Sequence, residues 1–216
     1  SAATHTRLTH AFAQSDALFE GRWAWELAQH LPEDTPIHVA SSMPVRDFEF
    51  FWPTRARRVH PFANRGANGI DGTLSTALGI ATAAARPTVL ITGDLALLHD
   101  SNGALIAPHF KGSLTILLLD NAGGGIFHNL PIAQFDPIFE HYFTTPQSLD
   151  WQAWATAHHI PFETLNDWST FRQRFAHLPD QGIRLLRLPT DRHRDTLTRQ
   201  QLLTSNDRGL LKTPQL

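Results

Sequence analysis

Asp94 follows Gly93 directly, Asn121 follows Asp120, and the two lie 27 positions apart, with Gly123, Gly124 and Gly125 just beyond. One strand-to-strand crossover fills such a gap, so two neighbouring parallel strands can deliver an anionic oxygen and an amide oxygen to the same point. A hard-oxygen site with one charged ligand suits Mg²⁺, which takes few protein oxygens and completes its octahedron with phosphate oxygens and water. The glycines allow close backbone approach, and the free N–H groups at the start of a following helix can receive a diphosphate. Taken singly, Asp94 also reads as a helix N-cap and Gly123–Gly125 as a flexible loop. Taken with their strand contexts and spacing, they favour a metal-diphosphate site. Other nucleotide and hydrolase signatures are missing: there is no GxxxxGK[ST], no GxGxxG after a strand and no GxSxG.

The elements that must carry these loops alternate along the chain. Phe19, Trp23, Leu27 and Leu31 recur on one helical face, with Ser15 as the expected N-cap. Ile37–Ala40 reads as a strand, and Pro44 suits the first turn of a helix reaching about Phe51. After Val59 and the Arg65–Gly72 loop, Leu74, Ala77, Leu78 and Ala81 form a small-residue helix, and Thr88–Thr92 a second strand. A helix is expected over Ser101–Pro108. Leu114–Leu119 is the most continuous apolar run, as in parallel strands covered on both faces. Trp151–His158 and Trp168–Phe175 then read as helices, and Phe162–Leu165 and Ile183–Leu188 as strands. The alternation predicts an α/β fold, a doubly wound, mostly parallel open sheet with helices on both faces. In such a sheet ligands bind beyond the carboxyl ends of the strands, which directs attention to the loops leaving Ala40, Phe62, Thr92 and Asp120. Residues 1–14 read as a linker or expression remnant, 15–205 as the binding domain and 206–216 as a loose tail.

Composition removes other classes. The 216 residues contain no cysteine, which excludes disulfides, thiolate metal sites and Cys nucleophiles. A formal charge of −2, and a basic cluster no longer than Arg55-Ala56-Arg57-Arg58, argue against nucleic acid as a partner. The 13 histidines are scattered and show no two-His ligand spacing. No run is long and apolar enough for a membrane span, and no signal pattern opens the chain, so a soluble cytoplasmic protein is expected.

Gly93-Asp94 with Asn121 27 residues on, each after a strand, resembles the thiamin-diphosphate motif of thiamin-dependent decarboxylases and synthases. Two further segments narrow the resemblance: Asn64–Gly72 leading into Leu74–Gly79, and Asn121–Phe127 running into Leu130-Pro131. Together they look like the C-terminal domain of the 2-succinyl-5-enolpyruvyl-6-hydroxy-3-cyclohexene-1-carboxylate synthase family of menaquinone biosynthesis, over about residues 17–203.

The resemblance implies a thiamin-diphosphate-binding fold, thiamin diphosphate with Mg²⁺ (or Mn²⁺) as cofactors, and a homo-oligomer. The cofactor would sit between this domain and an N-terminal pyrimidine-binding domain of another subunit. Asp94, Asn121 and the carbonyl of Gly123 would be the metal ligands. Gly93, Leu95, Ala96 and Ile126 would line the cofactor, with Ile70 supporting its bent shape. The substrates, 2-oxoglutarate and isochorismate, would be met by Ser42, Arg46 and Arg65, with Phe127 and Leu130 as apolar walls. Arginine's planar fork suits such carboxylates. The Glu that activates the cofactor belongs to the other domain, so none of Glu20, Glu26, Glu33, Glu49, Glu140 and Glu163 is assigned that role and the isolated chain is expected to be inactive. The family's wider pattern has a second Asn where this chain has Ala122. Competing readings are another thiamin-dependent carboligase of the acetolactate synthase type, a non-catalytic module for a phosphate-bearing metabolite and, more distantly, an NAD-dependent oxidoreductase.

Overall fold

The computed structural model describes residues 2–53, 56, 58–66 and 69–204. The elements in chain order are α1 (Ala2–Ala13), α2 (Arg22–His30), β1 (Thr35–Val39), α3 (Met43–Phe51), β2 (Val59–Phe62), α4 (Thr73–Ala84), β3 (Thr88–Gly93) and α5 (Asp94–His99). They continue with a 3₁₀ segment (Ser101–His109), β4 (Ser113–Asp120), α6 (Trp151–Ala157), β5 (Phe162–Thr164), α7 (Trp168–Ala176), β6 (Gly182–Pro189) and α8 (Arg192–Thr204). Between β4 and α6 run two 3₁₀ turns, Gly125–Asn129 and Pro131–Gln134, and a π turn, Glu140–Thr144.

The six strands form one sheet in the order β2-β1-β3-β4-β6-β5, and every pair is parallel. Period-two alternation splits the apolar strand residues between two cores. Val89, Ile91, Leu117, Leu119, Leu186 and Leu188 face an aromatic-rich layer made by α1, α2, α3 and α7. Leu90, Leu114, Ile116, Leu118, Ile183 and Leu185 face α4, α5 and α6. The doubly wound α/β sheet expected from the sequence is the fold found, and the apolar continuity of Leu114–Leu119 follows from burial on both faces.

Three local expectations are corrected. Ser15 does not cap the first core helix: α2 begins at Arg22 with Gly21 at its N-cap, while the Ser15 hydroxyl accepts the Ala17 N–H at 3.3 Å. Phe19 still reaches the core, but from the loop, its ring 5.5 Å edge-on from Phe51. A Cβ at Gly21 would lie 2.6 Å from the Phe51 ring and 2.8 Å from Phe19, so the chain passes there only as glycine. Residues 1–14 are not a loose linker over their described part, since α1 buries Leu8 and Phe12 against α2 and α3. Ser101–His109 is wound as 3₁₀ turns, with Pro108, which has no N–H to donate, in the last of them. Arg55, Arg57, Ser1, Ala67, Asn68 and the expected tail 206–216 lie outside the described residues. Among the described residues, no helix is long and apolar enough to cross a membrane.

Candidate functional site

The strand order reverses between β1 and β3: from β1 the chain crosses through α3 to β2 on one side, then through α4 to β3 on the other. Such a switch point opens a crevice at the carboxyl edge. A cavity of about 420 Å³ lies there, reached by the loops after β1, β2, β3 and β4. It gathers residues that the sequence analysis singled out from four separate segments. Ser42 and Arg46 come from the β1 loop and α3, and Arg65 and Ile70 from the loop before α4. Gly93, Asp94, Leu95 and Ala96 come from the β3–α5 turn, and Asn121, Gly123, Ile126 and Phe127 from the loop after β4. Leu130 does not line this cavity. It borders an adjoining one of about 530 Å³, with Arg46 and Phe127 on the shared wall, because the 3₁₀ turn Gly125–Asn129 carries it past the rim.

Asp94 starts α5 where β3 ends and is 4% exposed. Its Oδ1 accepts the Leu95 N–H and its Oδ2 the Gly123 N–H, both at 2.7 Å, so the two loops meet on this carboxylate. Burial pushes its pKa up to about 7 against the pull of those N–H donors, with Asp120 and Glu20 adding negative charge nearby. Asn121, 6% exposed, donates its Nδ2 to Glu20 Oε2 at 3.2 Å. Its Oδ1 is buried without a hydrogen-bond partner. A buried acceptor left unpaired is costly, and a cation is one way to satisfy it. The Gly123 carbonyl accepts the Gly125 N–H at 2.9 Å and keeps a second lone pair. The backbone takes φ +140° at Gly123, where a Cβ would lie 2.5 Å from the Thr144 carbonyl oxygen. A buried carboxylate, a fixed amide oxygen and a carbonyl make a hard-oxygen donor set, which fits Mg²⁺.

The polar side chains on the wall are less uniform. Arg46 Nη1 donates to the Ser42 carbonyl at 2.7 Å, which holds the guanidinium at the cavity's edge. Ser42 itself takes φ 75°, an uncommon conformation for a residue other than glycine. Arg65 is exposed on the glycine-rich loop.

Several site residues were missed in the sequence because they converge from distant segments. Glu20 lines the cavity and is 2% exposed. It belongs to a buried chain of charge: Arg199 from α8 grips Asp47 of α3 with bonds of 2.7 and 2.8 Å and approaches Glu20 at 3.5 Å. Burial works against Arg199's charge, but Asp47 and Glu20 outweigh it and hold the guanidinium protonated. Arg192, at the start of α8, donates to the carbonyls of Asn121 and Ala122 at 3.3 and 2.9 Å and pairs with Glu140 at 2.7 Å. The only sequence signal for these contacts was an excess of charge in 192–199, which reads equally well as a solvated helix.

The chain resembles curated proteins named 2-succinyl-5-enolpyruvyl-6-hydroxy-3-cyclohexene-1-carboxylate synthase. It is 50% identical over 189 residues to that of Rippkaea orientalis, covering 88% of this chain and 32% of the relative. It is 52% identical over 197 residues to that of Thermosynechococcus vestitus, covering 91% and 35%. The chain thus spans about a third of the length of the curated relatives it matches. Among solved structures, the thiamine diphosphate-dependent 4-hydroxybenzoylformate decarboxylase of Rhodococcus jostii superposes with a TM-score of 0.66 at 18% identity, covering 82% of this chain and 33% of that one. Benzoylformate decarboxylase from Polynucleobacter necessarius gives 0.61 at 16% identity, covering 80% and 33%. These structures share the fold. No family model matches the chain.

Proposed function

Because this chain is homologous to a third-length segment of the 2-succinyl-5-enolpyruvyl-6-hydroxy-3-cyclohexene-1-carboxylate synthases, we propose that it is the domain of such an enzyme that holds thiamin diphosphate and Mg²⁺. The whole enzyme would decarboxylate 2-oxoglutarate and add the succinyl unit to isochorismate. The observation that carries the reading is that the buried Asp94 carboxylate accepts the Gly123 N–H in the cavity that Asn121 also lines, with the Asn121 Oδ1 buried and without a partner.

When bound, the cofactor supplies a thiazolium carbon that accepts the electron pair released by decarboxylation, which no side chain in the cavity can do. The chain's residues then bind and orient. Asp94, Asn121 and the Gly123 carbonyl hold the metal and through it the diphosphate, and the backbone of Gly93–Ala96 flanks the same anion. Ile70 and Ile126 are the apolar supports for the cofactor's rings. Arg46, Arg65 and Ser42 would receive substrate carboxylates and Phe127 would exclude water from the succinyl chain, with Leu130 beyond it on the adjoining cavity. The remaining cofactor contacts, including the activating Glu, come from an N-terminal pyrimidine-binding domain of another subunit, which makes the working enzyme a homo-oligomer and leaves the isolated chain without turnover.

Calorimetric titration with thiamin diphosphate, with and without Mg²⁺, tests the site. Binding that requires Mg²⁺ and disappears in Asp94→Ala is expected. A failure to bind when the N-terminal domain is also supplied would overturn the reading. In the full-length enzyme, Arg65→Ala should lower activity on 2-oxoglutarate steeply, since a lost hydrogen bond to a charge is worth about 1.5–3 kcal/mol. Nearly intact activity would favour a carboligase for smaller 2-oxo acids.

A further inference from the structure

Outside the lining of the cavity, three ligand-bearing side chains meet from segments far apart in sequence: His128 on the 3₁₀ turn, Glu140 on the π turn and His193 in the first turn of α8. One ligand atom from each lies within 4.8 Å of the others. We propose that His128, Glu140 and His193 form a second metal site, distinct from the hard-oxygen site and selective for a borderline divalent cation such as Zn²⁺.

His128 Nε2 is buried with no hydrogen-bond partner, an acceptor or donor that the protein alone does not satisfy. The His128 and His193 rings stand 4.6 Å apart, edge to face.

Glu140 is prepared in a specific way. Its Oε2 already accepts from Arg192 Nη2 at 2.7 Å and from Thr144 Oγ1 at 2.6 Å. Its Oε1 faces His193 Nε2 at 3.8 Å. One oxygen is therefore fixed by outer contacts and the other is presented toward the imidazoles, as ligating carboxylates commonly are. Arg192 adds positive charge nearby, which weakens cation binding, but it occupies the far oxygen rather than the pocket.

Tetrahedral zinc with bonds of about 2.0–2.2 Å holds its ligand atoms roughly 3.4 Å apart. His193, with a side chain 60% exposed, is free to turn and close the remaining distance. Two imidazoles and one carboxylate leave a fourth position for water. The same ligands are poor partners for Mg²⁺, which prefers oxygens in an octahedron. Occupancy would fasten α8 to the loop whose carbonyls Arg192 already grips.

The test is a Zn²⁺ titration by calorimetry of the tag-free, chelator-treated chain in excess Mg²⁺, with Co²⁺ absorption as the report on ligand geometry. One tight site per chain is expected, with a tetrahedral Co²⁺ spectrum. His193→Ala, at an exposed position with little risk to folding, and His128→Ala should each weaken it by at least about tenfold, the lower end of what even outer contacts contribute. Asp94→Ala should leave it unchanged, which separates this site from the proposed cofactor site. Undiminished Zn²⁺ affinity in both histidine variants, or a wild-type chain with no one-to-one site, would overturn the proposal.

Discussion

At Ala122 the backbone takes φ 61°, a left-handed conformation that an alanine side chain disfavours and asparagine tolerates. The loop is held here by Arg192 of α8, which donates to the Ala122 carbonyl. Ala122→Asn should therefore stabilise the chain by roughly 0.5–1 kcal/mol, read from denaturant midpoints. At the next residue the sign reverses: Gly123→Ala meets both φ +140° and the Thr144 carbonyl, and should destabilise by about 2–4 kcal/mol. If Gly123→Ala were tolerated, the close passage of the two loops would be wrong. Glu20 gives a third prediction. Glu20→Ala strands the Asn121 amide and lets it rotate, so Mg²⁺-dependent thiamin diphosphate affinity should fall by about tenfold or more, the equivalent of one hydrogen bond to a charge. Glu20→Gln keeps an acceptor of the same reach and should lose less; equal losses in the two would show that charge, not orientation, is what Glu20 supplies.

Elements were legible where their burial is simple. β3 and β4 are buried on both faces and announce themselves as apolar runs, β6 shows through Ile183, Leu185, Leu186 and Leu188 around its two arginines, and α4 and α7 carry clear periodic stripes. The Asp94 and Asn121 loops were legible for the same reason, because each is anchored to the end of such a strand. α1 and α8 were not. Among the described side chains of α1, Leu8 and Phe12 face the core from a polar helix, and α8 buries Asp195, Thr196 and Arg199, a polar set that gives no apolar stripe. The Glu20–Asn121 and Asp47–Arg199 contacts span 101 and 152 residues, beyond any spacing rule. That α1 is part of the core has a measurable consequence: Phe12→Ala removes a ring packed 5.7 Å from Trp25 and 6.2 Å from Phe51, and should cost about 3–5 kcal/mol. A cost under about 1 kcal/mol would return residues 2–13 to the role of a linker. At the other end of the scale, Asp150 caps α6 by accepting the Ala153 N–H at 3.0 Å, and Asp150→Ala should cost about 1 kcal/mol.

For the whole molecule, pH sets buried groups against one another. His38 lies in β1 between β2 and β3, 1% exposed, and burial pushes its pKa down to about 4, with the Phe62 backbone opposing. The unfolded chain takes up this proton near 6.5 and the folded chain only near 4. The neutral ring's contribution is therefore complete above pH 6.5 and is lost as pH falls toward 4. At about 1.4 kcal/mol per unit, about 2 kcal/mol is gone by pH 5. Asp94 and Asp195 act in the other direction, since burial raises each to about 7 and the folded chain protonates them first as pH falls. The wild-type curve mixes these opposing slopes, so the His38 contribution must be read by difference. His38→Leu removes the titration, and whatever the lost ring contacts cost is the same at both pH values and cancels in the difference. The stability of the variant relative to wild type should then rise by about 2 kcal/mol between pH 7 and pH 5. Parallel profiles would mean that His38 is reached by water in the folded chain, and that the sheet's centre is less tightly closed than its burial states.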